Sequence, residues 1–398
     1  MPGPRSALLY VVLAASASLA SAAPPPLETA APGEVGMSGE RLSRIDALVE
    51  EGLADGEMAG CVVLVGHQGR IVYHKAFGER QSEPEAVPMT KDTVFDLASL
   101  TKPVATATCV MHLVEQGAVK LDEPVATYIP EFAAEGKEKI TVFELLTHQG
   151  GMIPDNSIRD YEGDPATAME KTLATKPIAG RGERFIYSDV GFITLGELVK
   201  RVSGKSVHEY SQEHFFGPLG MSETGYLPAE ELRQRAAVTE KRDGEWMRGE
   251  VHDPRAYRLG GVAGHAGLFS TAEDLAVYAQ MMINGGEYAG VRVLDPETVE
   301  TMTTAVKVPR GWRALGWDAN SPYSSNRGDL MSDRAFGHGG FTGTAMWIDP
   351  PQELFVIFLS NRLHPDGKGS VNTLAGRIGT VAAAAICVPC GAGAGKND

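Results

Sequence analysis

The stretch Val94-Phe95-Asp96-Leu97-Ala98-Ser99-Leu100-Thr101-Lys102 decides how the rest of this chain is read. A serine hydroxyl is a poor nucleophile until a neighbour takes its proton. Residues three apart on a helix share a face, so a helix beginning here sets Lys102 beside Ser99. Val104 to Glu115 is the expected helical run and Gly117 its stop. Pro103 falls in the first turn, where its missing N–H has no partner to lose. A lysine is normally protonated, but burial and the positive end of a helix dipole can lower its pKa. Ser-x-x-Lys alone arises by chance in a chain of 398 residues, so the reading depends on what else lies along it.

Two further segments follow in order, Tyr187-Ser188-Asp189 and His338-Gly339-Gly340. With Ser99 and Lys102 they supply a nucleophile, a proton-relay pair and a strand that can polarise a carbonyl, the equipment for acyl transfer through a serine ester. On these residues the chain resembles the serine β-lactamase and penicillin-binding protein superfamily, whose signature joins Ser-x-x-Lys to a Lys-Thr-Gly strand. It is most similar to the class C β-lactamase-like branch with its D-alanyl-D-alanine carboxypeptidases and esterases. Leu145-Leu146-Thr147-His148, Phe216-Gly217-Pro218-Leu219-Gly220-Met221 and Gly267-Leu268-Phe269-Ser270-Thr271 fall at further landmarks, so the resemblance runs from about residue 37 to about residue 364.

The resemblance implies an α/β, β-lactamase/transpeptidase-like fold: an antiparallel sheet flanked by helices, a mainly helical subdomain, and an active site in the cleft between them. It implies Ser99, Lys102 and Tyr187 as catalytic residues. The N–H groups of Ser99 and Phe341 become the oxyanion donors, each worth roughly 3 kcal/mol to the barrier. Asp189, His338, Gly339, Gly340 and His265 are the substrate-binding candidates, and no metal or cofactor is implied.

Two departures bear on the substrate. The family's Tyr-x-Asn is here Tyr187-Ser188-Asp189, and an ionised aspartate accepts hydrogen bonds but cannot donate to a substrate carbonyl. It also holds Lys102 in its charged form, which leaves Tyr187 to relay the serine proton. His338-Gly339 stands where β-lactamases carry Lys-Thr to bind a carboxylate. A histidine is mostly neutral near pH 7 and glycine offers no hydroxyl. Gly339 and Gly340 would let a substrate approach the backbone. Esters and D-amino-acid peptides therefore rank above β-lactams. A non-catalytic peptidoglycan- or peptide-binding member, with Lys102 frozen by Asp189, and an acyl transferase are the alternatives.

Composition agrees with an exported globular enzyme acting on a small molecule or peptide, of which peptidoglycan is one source. The chain is 43% hydrophobic and 22% charged, with a net charge of −15 that argues against nucleic acid and anionic membrane surfaces. Residues 1–22 combine Arg5, an apolar run and Ala20-Ser21-Ala22, the pattern of a signal peptide cleaved near Ala22 and so of a secreted or periplasmic protein. That run is too short to span a membrane. Residues 23–34 read as a linker, 35–388 as the hydrolase domain (α/β part 35–98 and 306–388, helical part 99–305) and 389–398 as a tail.

Cys61 and Cys109 read as small buried hydrophobes, and Cys387 with Cys390 as a local disulfide or idle thiols. None of the 10 histidines has metal-ligand spacing. Leu42, Ile45, Leu48, Val49 and Leu53 give a helix, Cys61–Gly66 and Arg70–Phe77 a hairpin, Thr344–Ile348 and Leu354–Leu359 another, and Val371–Ile386 a closing helix. His148 is expected to cap the Thr141–Thr147 helix, and Arg255 to meet either a substrate carboxylate or a surface ion-pair partner.

Overall fold

A computed structural model describes residues 24–387. The signal-peptide, tail and Cys387–Cys390 expectations lie wholly or partly outside these residues.

Strands from both ends of the chain build one sheet. β1 (Gly60–His67), β2 (Arg70–Gln81) and β3 (Val87–Pro88) come from the N-terminal part. β4 (Val306–Val308), β5 (Gly311–Arg313), β6 (Asp318–Asn320), β7 (Phe336–Gly340), β8 (Thr344–Asp349) and β9 (Leu354–Ser360) come from the C-terminal part. The spatial order is β4-β5-β6-β7-β8-β9-β1-β2-β3, with every pairing antiparallel. The joint between the two ends is β1 on β9, Cys61 opposite Ser360 through His67 opposite Leu354.

Every residue of β1 is buried, which an antiparallel strand shows only where both faces of the sheet are covered. Val62 and Leu64 point to one face, where α5 (Ala272–Ile283) packs on the strand and α2 (Thr108–Glu115) belongs to the same core. Cys61, Val63 and Val65 point to the other, where α1 (Arg44–Ala54) and α6 (Asn372–Ala384) pack through Ile45, Val49, Leu374 and Ile378. Each such aliphatic side chain contributes about 1.5–3 kcal/mol of burial. Gly66 is fixed by this packing, since a Cβ there would lie 1.9 Å from the Phe355 ring.

The hairpins and terminal helices fall where the sequence placed them. The segment 99–305 is less purely helical than expected. It carries α3 (Val142–Leu146) and α4 (Asp189–Ser203), but also a small sheet in which Leu268–Ser270 pairs with Phe95–Asp96 and Gly225–Tyr226. These strands are two or three residues long, too short for a periodic signal. Among the described residues no helix is long and apolar enough to cross a membrane.

The expected helix at 104–115 also begins differently. One 3-10 turn at Ala98–Leu100 leads into a wide π-turn over Lys102–Ala107 before α2 starts at Thr108. Pro103 cannot donate an amide hydrogen, and the Thr108 hydroxyl binds the Pro103 carbonyl at 2.9 Å. Such widened turns favour functional sites because they re-aim side chains.

Candidate active site

Ser99 follows a residue with an unusual backbone. Ala98 has φ of 45°, a left-handed conformation that costs a non-glycine residue roughly 1–3 kcal/mol. Asp96 holds it there: one carboxylate oxygen accepts the Ala98 N–H at 2.8 Å and the other the His252 N–H at 2.6 Å. Burial raises the Asp96 pKa against those two bonds.

The end of β7 is fastened to the same turn. The Thr342 hydroxyl donates to the Asp96 carbonyl at 2.7 Å and the Thr344 hydroxyl to the Leu97 carbonyl at 3.0 Å. Gly340 permits this approach, because a Cβ there would sit 2.3 Å from the Leu97 oxygen. A Cβ on Gly339 would sit 2.3 Å from the Asn326 side-chain nitrogen. Both glycines thus make room for the protein's own atoms, a role not anticipated from the sequence. Phe341 follows directly and is 61% exposed at the cleft mouth, stacked on His252 at 5.7 Å with the Arg362 guanidinium 4.6 Å from its ring centre.

Lys102 is fully buried with its ammonium 2.9 Å from Ser99 Oγ, 2.6 Å from Asp189 Oδ1 and 3.2 Å from the His265 carbonyl oxygen. Burial pushes its pKa down, but the charges of Asp189 and Tyr187 outweigh that, so the group is held above its ordinary value. The lowering by burial and helix dipole that a lone Ser-x-x-Lys suggests is therefore reversed. Asp189 reaches Lys102 because α4 starts there, capped by Ser188, whose Oγ accepts the Gly191 N–H at 3.0 Å.

Tyr187 is half-buried; desolvation of its phenol raises its pKa, while the nearby Lys102 charge pulls it back. Its ring lies 4.9 Å from the Lys102 ammonium and is enclosed by His148, Tyr323 and His338, with centroids 4.5, 4.9 and 5.9 Å away. His338 is held well below its usual pKa by burial and then by the Arg313 and Lys102 charges. Its Nδ1–H donates to the Gly339 carbonyl at 2.7 Å.

His265 does not face the cleft as a free side chain. Its imidazole is 1% exposed with Nε2 2.9 Å from Asp253 Oδ1, and it meets Lys102 through its carbonyl. Asp253 is held far below the ordinary carboxylate range: burial raises it, but His265, the Ala256 N–H and Arg255 overcome this. Arg255 lies 3.4 Å from Asp155 and donates to the Asn156 carbonyl at 2.7 Å, the ion-pair alternative.

Donor atoms of Asp189, Asp253 and His265 lie within 4.8 Å of one another. Asp189 already neutralises Lys102, and that buried ammonium would repel a cation, so the cluster is poorly suited to metal. His148 closes α3 as expected: at φ of 58° its N–H donates to the Leu145 carbonyl at 3.2 Å, and the Gln149 N–H donates to the Glu144 carbonyl at 2.7 Å.

These residues surround a cavity of about 330 Å³ lined by Ser99, Tyr187, Asp189, Asp253 and Phe341 among others. A larger cavity of about 840 Å³ beside α4, lined by Met169, Leu173 and Ile193, contains none of them. Sequence reasoning missed Asp96, Thr342 and Thr344. Only Asp96 left a local signal, an aspartate two residues before a strained position.

Residues 45–379 match the family model for Beta-lactamase. The chain is 33% identical to an Escherichia coli K12 protein assigned as a D-alanyl-D-alanine carboxypeptidase, over 90% of this chain and 91% of that one. It is 33% identical to an N-acetylmuramyl-L-alanine amidase of Bacillus subtilis 168, over 82% of each. A class C β-lactamase structure superposes with a TM-score of 0.72 at 18% identity, over 87% of this chain and 96% of that one, a likeness of fold. By the family match and the length and identity of these relatives, the chain belongs to the β-lactamase family of serine hydrolases.

Proposed function

We propose that the chain is a serine hydrolase working through an acyl-enzyme on Ser99, with D-amino-acid peptides and small esters ahead of β-lactams as substrates. The observation that carries this is the 2.9 Å contact between Lys102 Nζ and Ser99 Oγ while Asp189 keeps that lysine charged at 2.6 Å. A charged lysine is no base, so Tyr187 reacts as the phenolate, stabilised by the Lys102 charge, and becomes a phenol on taking the Ser99 proton. Ser99 Oγ bonds to the carbonyl carbon, and the N–H groups of Ser99 and Phe341 receive the oxyanion. Tyr187 returns the proton to the leaving group, and water, activated the same way, releases the acyl group.

The neutral His338 and the absence of a hydroxyl at Gly339 weaken carboxylate binding at β7, which is the ground for ranking β-lactams last. The two relatives, assigned to D-alanyl-D-alanine and muramyl-alanine bonds, support a substrate derived from peptidoglycan. Such a substrate requires export, with residues 1–22 as the signal; N-terminal sequencing of protein recovered outside the cytoplasm tests it. The Asp189–Lys102 pair also favours a second reading, a binding module in which Lys102 is only structural. An acyl transferase would differ only in the acceptor that replaces water.

The test is intact-mass analysis after a fluorophosphonate probe and, separately, a fluorescent penicillin, with Ser99→Ala as control. A probe adduct lost in Ser99→Ala, with little penicillin adduct, is expected. An adduct that survives Ser99→Ala removes Ser99 as nucleophile, and no adduct at all favours the binding module.

A further inference from the structure

His148 is a buried histidine to which the chemistry above gives no task. It is 2% exposed and follows α3, whose N-terminus is closed by a reciprocal pair: the Thr141 N–H donates to Glu144 Oε2 at 2.9 Å and the Glu144 N–H to Thr141 Oγ1 at 3.3 Å. A rigid short helix thus delivers His148 in a left-handed conformation that a residue with a Cβ adopts only at some cost.

That conformation closes the end of α3, where the His148 N–H donates to the Leu145 carbonyl at 3.2 Å, and it also gives a grip on both neighbours of Tyr187. The His148 carbonyl accepts the Ile186 N–H at 3.0 Å, and its Nδ1 accepts the Ser188 N–H at 3.1 Å. Between these two bonds the imidazole lies against the Tyr187 ring, centroids 4.5 Å apart and planes 33° apart, with Phe192 behind it at 5.1 Å. An imidazole that accepts at Nδ1 carries its proton on Nε2 and is uncharged. Burial first, then the Arg313 and Lys102 charges and His338, keep it so.

We propose that His148 is the positioning residue of this site, fixing the Tyr187 phenol against Ser99 and Lys102 by binding the peptide groups on either side of it. This rests on the serine acyl-transfer reading and names what aims its proton relay. A phenol displaced by about 1 Å loses on the order of a hundredfold in rate, and the bonds to Leu145, Ile186 and Ser188 offset the strain at residue 148. The Ser188 N–H is also kept from being a buried orphan donor, and the Ser188 hydroxyl stays free to cap α4.

The experiment measures kcat and KM for a p-nitrophenyl ester and the rate of Ser99 labelling by a fluorophosphonate. It compares wild type, His148→Ala and His148→Asn, each with Tyr187 intact and with Tyr187→Phe, and melting temperatures are recorded for all. Asparagine tolerates positive φ and offers an acceptor near the Nδ1 position.

A fall in kcat of about 10- to 100-fold in His148→Ala with KM little changed is expected, shrinking to under about threefold in the Tyr187→Phe background, with His148→Asn recovering most of the loss. Equal losses in both backgrounds, or His148→Asn no better than His148→Ala, would overturn the proposal while leaving Ser99 as nucleophile. If His148→Ala does not fold, His148→Asn decides: near-normal turnover supports the proposal, and a loss that persists unchanged in Tyr187→Phe overturns it. Wild type that forms no Ser99 adduct defeats the serine reading itself, and this inference with it.

Discussion

Replacing Asp189 by asparagine changes one charge and almost no volume, at the point on which the proton inventory of the site turns. Its carboxylate is 2.6 Å from the Lys102 ammonium, which at an effective dielectric near 20 is about 6 kcal/mol of gross attraction. Desolvation of the two ions returns about half, and about 3 kcal/mol corresponds to roughly two pKa units. The Asp189 charge raises the pKa of both Lys102 and Tyr187, so removing it lowers both.

The reactive form of the relay has lost a proton, so kcat/KM climbs with pH along a limb set by that loss in the free enzyme. In Asp189→Asn the limb is expected to move toward acid by about two units, read from p-nitrophenyl ester hydrolysis between about pH 5 and 10. Labelling by a fluorescent penicillin should rise as well, since the new amide can donate to the side-chain carbonyl. Stability moves the other way. The raised Lys102 pKa contributes stability that is complete at neutral pH and lost only as pH climbs through the folded value, so at pH 7 the variant melts at lower temperature. Superimposable pH profiles would refute the reasoning, because then neither Lys102 nor Tyr187 is tuned by Asp189.

Two further outcomes follow from the geometry. Gly340→Ala would press a methyl against the Leu97 oxygen and Thr344 Oγ1 and part β7 from the Ser99 turn; kcat/KM should fall about a hundredfold, and unchanged kinetics would disprove that this contact sets the Ser99–Phe341 spacing. Asp274 is pushed up to about 6 by burial, offset in part by the Thr224 hydroxyl and the Glu223 N–H. Its raised value favours the folded state below about pH 4, a contribution lost as pH rises through about 6 and worth roughly 3 kcal/mol. Denaturant titrations should therefore show Asp274→Asn with a flatter stability profile than wild type between about pH 4 and 7.

Local reading reached whatever a few consecutive residues encode. The strand-like runs on either side of the His67-Gln68-Gly69 turn gave the β1–β2 hairpin, and the spacing of Leu42, Ile45 and Val49 gave α1. Ser99 and Lys102 are three residues apart, so their contact needs only one turn of chain. The small strand at Leu268–Ser270 was missed because three residues show no period. The wide turn after Lys102 was missed because it is set by the Pro103 carbonyl and the Thr108 hydroxyl together.

By itself the sequence determined the fold family, the Ser99–Lys102 pair, and the presence of an aspartate where an amide would donate. Those properties follow from residue identity and short spacing. The tertiary structure alone decided that His265 meets Lys102 through a carbonyl, that Asp96 and two threonines clamp the Ser99 turn, and that His148 grips both sides of Tyr187. Each of these depends on hydrogen bonds or ion pairs, many of them between residues far apart in the chain, packed inside a low-dielectric interior. There the sign of a pKa shift is set by which charge lies nearest in space, whatever lies nearest in sequence.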